Sequence, residues 1–146
     1  MKTLIVTGGT GGLGTTVVQR LSRDYQCVLL RHSQVDLMSE RSIRDALAAI
    51  DAPYGLVHMA GGYAGGAVSE TSSDDWQRMI GLNLTSSFFV IREALKVITK
   101  PGRIVAISSA ATVAKVASAA AYTIAKTGLN TLIELTAAEL AGTSKE

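Results

Sequence analysis

A single cysteine, two histidines and an aromatic content of 5% close off several kinds of chemistry for this 146-residue chain. One thiol cannot form an internal disulfide, and Cys27 falls in an apolar stretch, where a buried inert role is expected. Cys27, His32 and His58 do not have metal-ligand spacing, so no metal site is expected. Fourteen basic against twelve acidic residues leave a formal charge of +2. The charges are scattered and form no basic stripe, which argues against a nucleic-acid partner. So few aromatic rings also argue against stacking on single strands. No apolar run approaches the roughly 20 residues that span a bilayer. Met1-Lys2, five residues and a glycine turn do not make a signal peptide. The expected location is cytoplasmic, with no membrane partner and no internal repeat.

Hydrophobic residues make up 47% of the chain, enough for a real core, and they alternate between strand-like runs and helical patterns. Lys2–Thr7 reads as a buried strand, 26–31 as a second, 55–60 as a third and 102–108 as a fourth. Near-continuous apolar runs of this kind fit parallel strands covered on both faces. The expected fold is α/β, a doubly wound Rossmann-type sheet of about four main parallel strands. Only His32, Ser33, Gln34 and Val35 separate Arg31 from Asp36. A crossover to a further parallel strand needs about a dozen residues. The chain is therefore expected to pass through a short loop into a helix over 39–50, with Ser39 as N-cap and Glu40 in the first turn. Further helices are expected over 73–98 and from about Tyr122 through Leu140.

The first strand runs into Gly8-Gly-Thr-Gly-Gly-Leu-Gly14. Glycines allow a sharp turn and close backbone approach to a pyrophosphate, and the helix that follows offers unpaired N–H groups and a positive dipole end. A P-loop is the competing reading, since Gly9 and Gly14 have its separation. Thr15 stands where its phosphate-binding lysine should be, so a dinucleotide is the expected ligand.

Tyr122 and Lys126 are four apart, and Ser109 lies thirteen positions before the tyrosine. Residues four apart share a helix face. An ammonium beside a phenol favours the phenolate and lowers a tyrosine pKa from about 10, which suits a general acid or base.

Taken together, these segments resemble the short-chain dehydrogenase/reductases. Thr7-Gly8-x-x-x-Gly12-x-Gly14 matches that family's cofactor turn, Asp36-Leu37 its adenine-side acidic pair and Asn83 in Gly-Leu-Asn-Leu-Thr its helix asparagine. Ile107-Ser108-Ser109, Tyr122 and Lys126 complete the pattern in the family's order. The resemblance implies that Tyr122 is the catalytic acid/base and that Ser109 orients and polarises the substrate carbonyl. It implies that Lys126 binds the nicotinamide ribose and lowers the tyrosine pKa, and that Asn83 supports a proton-relay water. By the same resemblance Gly8, Thr10, Gly12, Leu13, Gly14, Arg31, Asp36, Leu37, Ala60 and Gly61 join Tyr122 and Lys126 in binding the cofactor.

Besides the short loop after the second strand, the chain departs from the family pattern in two places. His58-Met59-Ala60-Gly61 stands where the family has Asn-Asn-Ala-Gly, and His58 is expected to be structural. The family's later strands, its Pro-Gly segment and its substrate lobe have no counterpart. Residues 1–146 therefore read as a single NAD(P)-binding domain incomplete at its C-terminus, an excerpt of a longer protein or a minimal form. Arg31 after the second strand favours NADP(H), and Asp36 keeps NAD(H) open. The expected function is interconversion of a small-molecule carbonyl and an alcohol by hydride transfer. The alternative is a dinucleotide-binding or scaffold module without turnover. Apolar residues lie around much of the circumference of the two long helices. One face can cover the sheet, the resemblance implies that the other packs against a second subunit, and with an exposed 102–108 edge a homo-oligomer is expected.

Overall fold

The computed structural model describes residues 1–143. In chain order the elements are β1 (Lys2–Thr7), α1 (Gly12–Leu21), β2 (Tyr25–Leu30), α2 (Glu40–Ala48), β3 (Gly55–His58) and α3 (Ser73–Ile80). A π-helical turn (Gly81–Thr85) leads into α4 (Ser86–Val97), then β4 (Arg103–Ala106), α5 (Ala111–Ala114) and α6 (Ala120–Thr143). They form two compact units, Met1–Gly61 with Thr85–Ile107, and Gly62–Leu84 with the residues from Ser108 onward.

The first unit is built on four parallel strands in the order β2-β1-β3-β4. Burial is deepest in the two central strands, where Leu4, Ile5, Val6 and Leu56 form the centre of the core, while β4 at the edge leaves Val105 exposed. The next strand after β2 joins the opposite side of β1, so strand order reverses between β1 and β3. Thr7 and His58, paired in register, end those two strands at the reversal, where ligands of open α/β sheets bind.

The short connection expected after β2 is present. The carbonyl of Arg31 accepts from the N–H groups of Gln34 (2.9 Å) and Val35 (2.8 Å), turning the chain at once. Ser39 then caps α2, its hydroxyl accepting from Ser42 N–H at 3.2 Å, with Glu40 in the first turn. Ile43 and Leu47 of α2 are buried, as are Val90, Ile91 and Ala94 of α4, the helix against which α2 packs.

Charge is buried with them. Glu93 on α4 accepts from Lys96 Nζ (2.7 Å) and Arg92 Nε (3.2 Å), and Arg44 Nε lies 3.6 Å from its other oxygen. The Lys96 hydrogen bond, with help from Arg44 and Arg92, holds its carboxyl below the ordinary 4.5 against the opposing effect of burial. A depressed folded-state value contributes stability above about pH 4.5, lost as pH falls through the folded value. Glu93→Gln should therefore cost roughly 1.5–3 kcal/mol near neutrality and flatten the acid limb of melting temperature against pH. Identical acid limbs in the two proteins would remove Glu93 from this account.

The helix expected over 73–98 is interrupted. Ser72 caps α3 by accepting from Asp75 N–H at 3.1 Å, but the turn at Gly81–Thr85 is wider than α-helical. Gly81 is a poor helix former, and the Asn83 amide reaches out to the distant Gly62 peptide as well as back to the Met79 carbonyl. The last strand is shorter than expected: Arg103–Ala106 pair in register with β3, and the ladder closes with Ile107 N–H donating to the His58 carbonyl at 2.9 Å. The third strand is also shorter than expected and ends at His58. Beyond it Met59 N–H is shared between the Thr7 carbonyl (3.2 Å) and hydroxyl (3.3 Å), and Ala60 N–H donates to the Thr7 hydroxyl (3.3 Å). In the second unit, α5 and an isolated parallel bridge between Gly66 and Ala119 had no sequence signal. No helix among the described residues is long and apolar enough to cross a membrane.

Candidate active site

The first unit carries the glycine turn. Gly8 has φ of +68°, and a Cβ there would lie 2.6 Å from the Ala60 nitrogen. A Cβ on Gly14 would lie 2.0 Å from the Gly8 carbonyl oxygen. Both glycines are therefore required by the turn itself. Gly12 is different, because an added Cβ meets nothing within 4 Å.

Its missing side chain leaves open ground at the start of α1. That helix has Gly11 as N-cap, no side-chain cap and no acidic residue in its first turn, so its N–H groups and positive dipole end suit an anion. Thr10 and Leu13 are exposed on the same turn. A pyrophosphate fits these residues. Gly14→Ala should cost roughly 1–3 kcal/mol by overpacking, whereas Gly12→Ala should keep its melting temperature and weaken binding of NADH and NADPH alike. Equal destabilisation by both substitutions would undo the distinction.

Arg31 and Asp36 have unequal surroundings. Arg31 is exposed directly after β2 and makes no side-chain hydrogen bond among the described residues. The Asp36 carboxylate already accepts from Met38 N–H at 2.8 Å, and its own N–H donates to the Ser42 hydroxyl at 3.1 Å. Leu37 is half-buried beside it.

At the far side of the turn, His58 is buried between Thr7 and Ser87, at 2.8 Å from each hydroxyl. The Thr7 oxygen receives two N–H groups, so its proton is assigned to His58 Nδ1, and Nε2–H then donates to Ser87 Oγ. This histidine ties β1, β3 and α4 together where the family pattern has an asparagine. Ala60 and Gly61 follow immediately, half-buried and exposed respectively.

The second unit holds Asn83, Ser109, Tyr122 and Lys126. Asn83 is fully buried in the π-helical turn. Its Nδ2 donates to the carbonyls of Gly62 (2.9 Å) and Met79 (3.1 Å), and its Oδ1 accepts from Gly62 N–H (3.1 Å). Both amide hydrogens are thus engaged, and the side chain clamps the peptide of Gly62.

Ser109 precedes α5, its hydroxyl oxygen accepting from Ala111 N–H at 3.2 Å. Tyr122 lies in the first turn of α6, half-buried. Lys126 is one turn later and buried, and burial pushes its pKa below the ordinary lysine value. Sequence reasoning passed over Tyr63, whose ring packs edge-on to Tyr122 with centroids 5.1 Å apart. Its one signal was an aromatic residue inside the glycine-rich stretch 61–66.

The family model described as short chain dehydrogenase matches residues 29–144. A 3beta-hydroxysteroid dehydrogenase of Mediterraneibacter gnavus is 29% identical over 96% of this chain and 61% of its own length. A D-beta-hydroxybutyrate dehydrogenase of Rhizobium meliloti is 27% identical over 96% of this chain and 66% of its own. The chain thus spans less than two thirds of either relative. A solved short-chain dehydrogenase/reductase of Vibrio parahaemolyticus superposes with a TM-score of 0.84 at 25% identity, covering 95% of this chain and 73% of that one.

Proposed function

The chain belongs to the short-chain dehydrogenase/reductase family, and on that premise we propose that residues 1–146 serve as one NAD(P)-dependent oxidoreductase domain that interconverts a carbonyl and an alcohol. The observation that carries this reading is the pair Tyr122 and Lys126, one turn apart on α6, in the unit that also holds Ser109 and the Asn83 turn. The nicotinamide, when bound, supplies or accepts the hydride.

Tyr122 gives its phenolic proton to the substrate oxygen in reduction and takes it back in oxidation. The Ser109 oxygen already accepts a backbone N–H, which leaves its own proton to donate to that substrate oxygen. Lys126 serves the ribose. Asn83 holds the loop at Gly62, and with both amide hydrogens engaged it can offer a relay water only an acceptor. Gly8, Thr10, Gly12, Leu13 and Gly14 hold the pyrophosphate, Arg31 and the Asp36-Leu37 pair face the adenosine, and Ala60 and Gly61 complete the nucleotide contacts. The Arg31 guanidinium, exposed and without a side-chain hydrogen bond among the described residues, and the locally occupied carboxylate of Asp36 favour NADP(H) over NAD(H).

The test is consumption of NADPH or NADH with a panel of small aldehydes and ketones. Cofactor binding without consumption on any of them would support a non-catalytic module instead.

We also propose a homo-oligomer. Helix α4 exposes Phe88 and Leu95, α6 exposes Ile124, Leu135 and Leu140, and β4 is an edge strand with Val105 exposed. Apolar helix faces and an open edge both invite a second copy. Sedimentation equilibrium at micromolar concentration should show a dimer or larger species, and a stable soluble monomer throughout that range would overturn the proposal.

A further inference from the structure

We infer that the Tyr63 ring is a specificity-determining wall of the substrate site, selecting carbonyl or alcohol substrates that carry a flat aromatic group on the reacting carbon. The inference rests on Tyr122 being the acid/base. A substrate oxygen must come within hydrogen-bond reach of the Tyr122 hydroxyl. The substituent on the reacting carbon then passes beside whatever flanks the Tyr122 ring, and Tyr63 is such a flank. The two rings are 5.1 Å apart at 77°. Tyr63 is nevertheless 65% exposed, so the contact leaves most of its ring surface open.

The position of this ring is held from both sides. Gly62, the preceding residue, is clamped through both its N–H and its carbonyl by Asn83. Three residues on, Gly66 N–H donates to the Ser118 carbonyl at 2.7 Å and the Gly66 carbonyl accepts from Ala120 N–H at 3.0 Å. The loop is thereby fastened to the first turn of α6, the turn that carries Tyr122.

A scattered exposed aromatic needs no explanation, but one fixed in place beside a reactive phenol presents a flat apolar face that loses little freedom when a ligand docks. Aromatic rings attract one another in offset or edge-on geometry. The Tyr63 hydroxyl lies back over Gly65, where an added Cβ would be 3.6 Å away, so recognition falls to the ring and not to the hydroxyl.

The experiment compares acetophenone with 2-butanone in the unsubstituted chain, Tyr63→Ala and Tyr63→Phe, with NADPH and NADH supplied together. The ratio of kcat/KM for acetophenone to that for 2-butanone should fall about three- to tenfold in Tyr63→Ala and be retained in Tyr63→Phe. An unchanged ratio in Tyr63→Ala, or an equal fall in Tyr63→Phe, would overturn the inference. Tyr122→Phe separates the two levels of the reading. If it loses turnover of both ketones while the Tyr63 variants keep the ratio, the specificity role fails and the acid/base role stands.

A binding arm needs no turnover. Saturation-transfer NMR of acetophenone should give strong ring-proton signals with the unsubstituted chain and Tyr63→Phe, and weak ones with Tyr63→Ala. Equal signals from all three would overturn the inference even in a chain that reduces neither ketone.

Discussion

Tyr122→Phe should lower turnover by about 10²–10⁴-fold while NADPH and NADH bind almost as before. The substitution keeps the ring, its packing against Tyr63 and its place in α6, and removes only the hydroxyl that moves the proton. Lys126→Met should instead reduce both turnover and nucleotide affinity, because its proposed partners are the ribose and the phenol. The contrast between the two variants is the informative result. Undiminished turnover in Tyr122→Phe would end the acid/base assignment, and a loss of nucleotide affinity equal to that of Lys126→Met would mean that the tyrosine acts through structure.

Arg31→Ala should weaken NADPH by about ten- to a hundredfold, equivalent to roughly 1.5–3 kcal/mol for a charge-assisted hydrogen bond, and leave NADH nearly unaffected. The guanidinium is exposed and makes no side-chain hydrogen bond among the described residues, so no such bond must be broken for it to meet a 2′-phosphate. Asp36 is differently placed, since its carboxylate closes the turn at Met38. Calorimetric titration decides the matter. Equal affinities of the unsubstituted chain for the two cofactors would sink the preference, and equal losses in Arg31→Ala would make the residue a general electrostatic contact. Raising the salt should reduce the NADPH advantage, because an exposed pair is screened.

What could be read directly from the residues was what neighbouring residues decide. The strand, glycine turn and helix at Lys2–Leu21 follow from an apolar run, close-packed glycines and an uncapped helix start, all within one short segment. The loop from Arg31 to Ser39 followed from chain length, because four residues cannot make a crossover. The α2 start followed from the N-capping hydroxyl of Ser39 and the acidic Glu40 in the first turn. The spacing of Tyr122 and Lys126 sufficed to set them one turn apart, since a helix has a fixed pitch.

What stayed hidden depends on partners distant in the chain. Asn83 reaches Gly62 across 21 positions, and that bond is made from the π-helical turn that interrupts the expected helix. His58 meets Thr7 across 51 positions, so no local pattern could say what a histidine at that strand end bonds to. Nothing local in the sequence sets Tyr63 beside Tyr122, because its stretch is fastened ahead of α6 by the Gly66–Ala119 bridge, across 53 positions. By itself the sequence determined the main strands and helices, the parallel sheet and the residues that match the family's motifs, because helical pitch, apolar runs and connection length are local properties. Only the tertiary structure decided which groups are already occupied and which face open space, because satisfying a buried amide, imidazole or carboxylate depends on segments that come together when the chain folds.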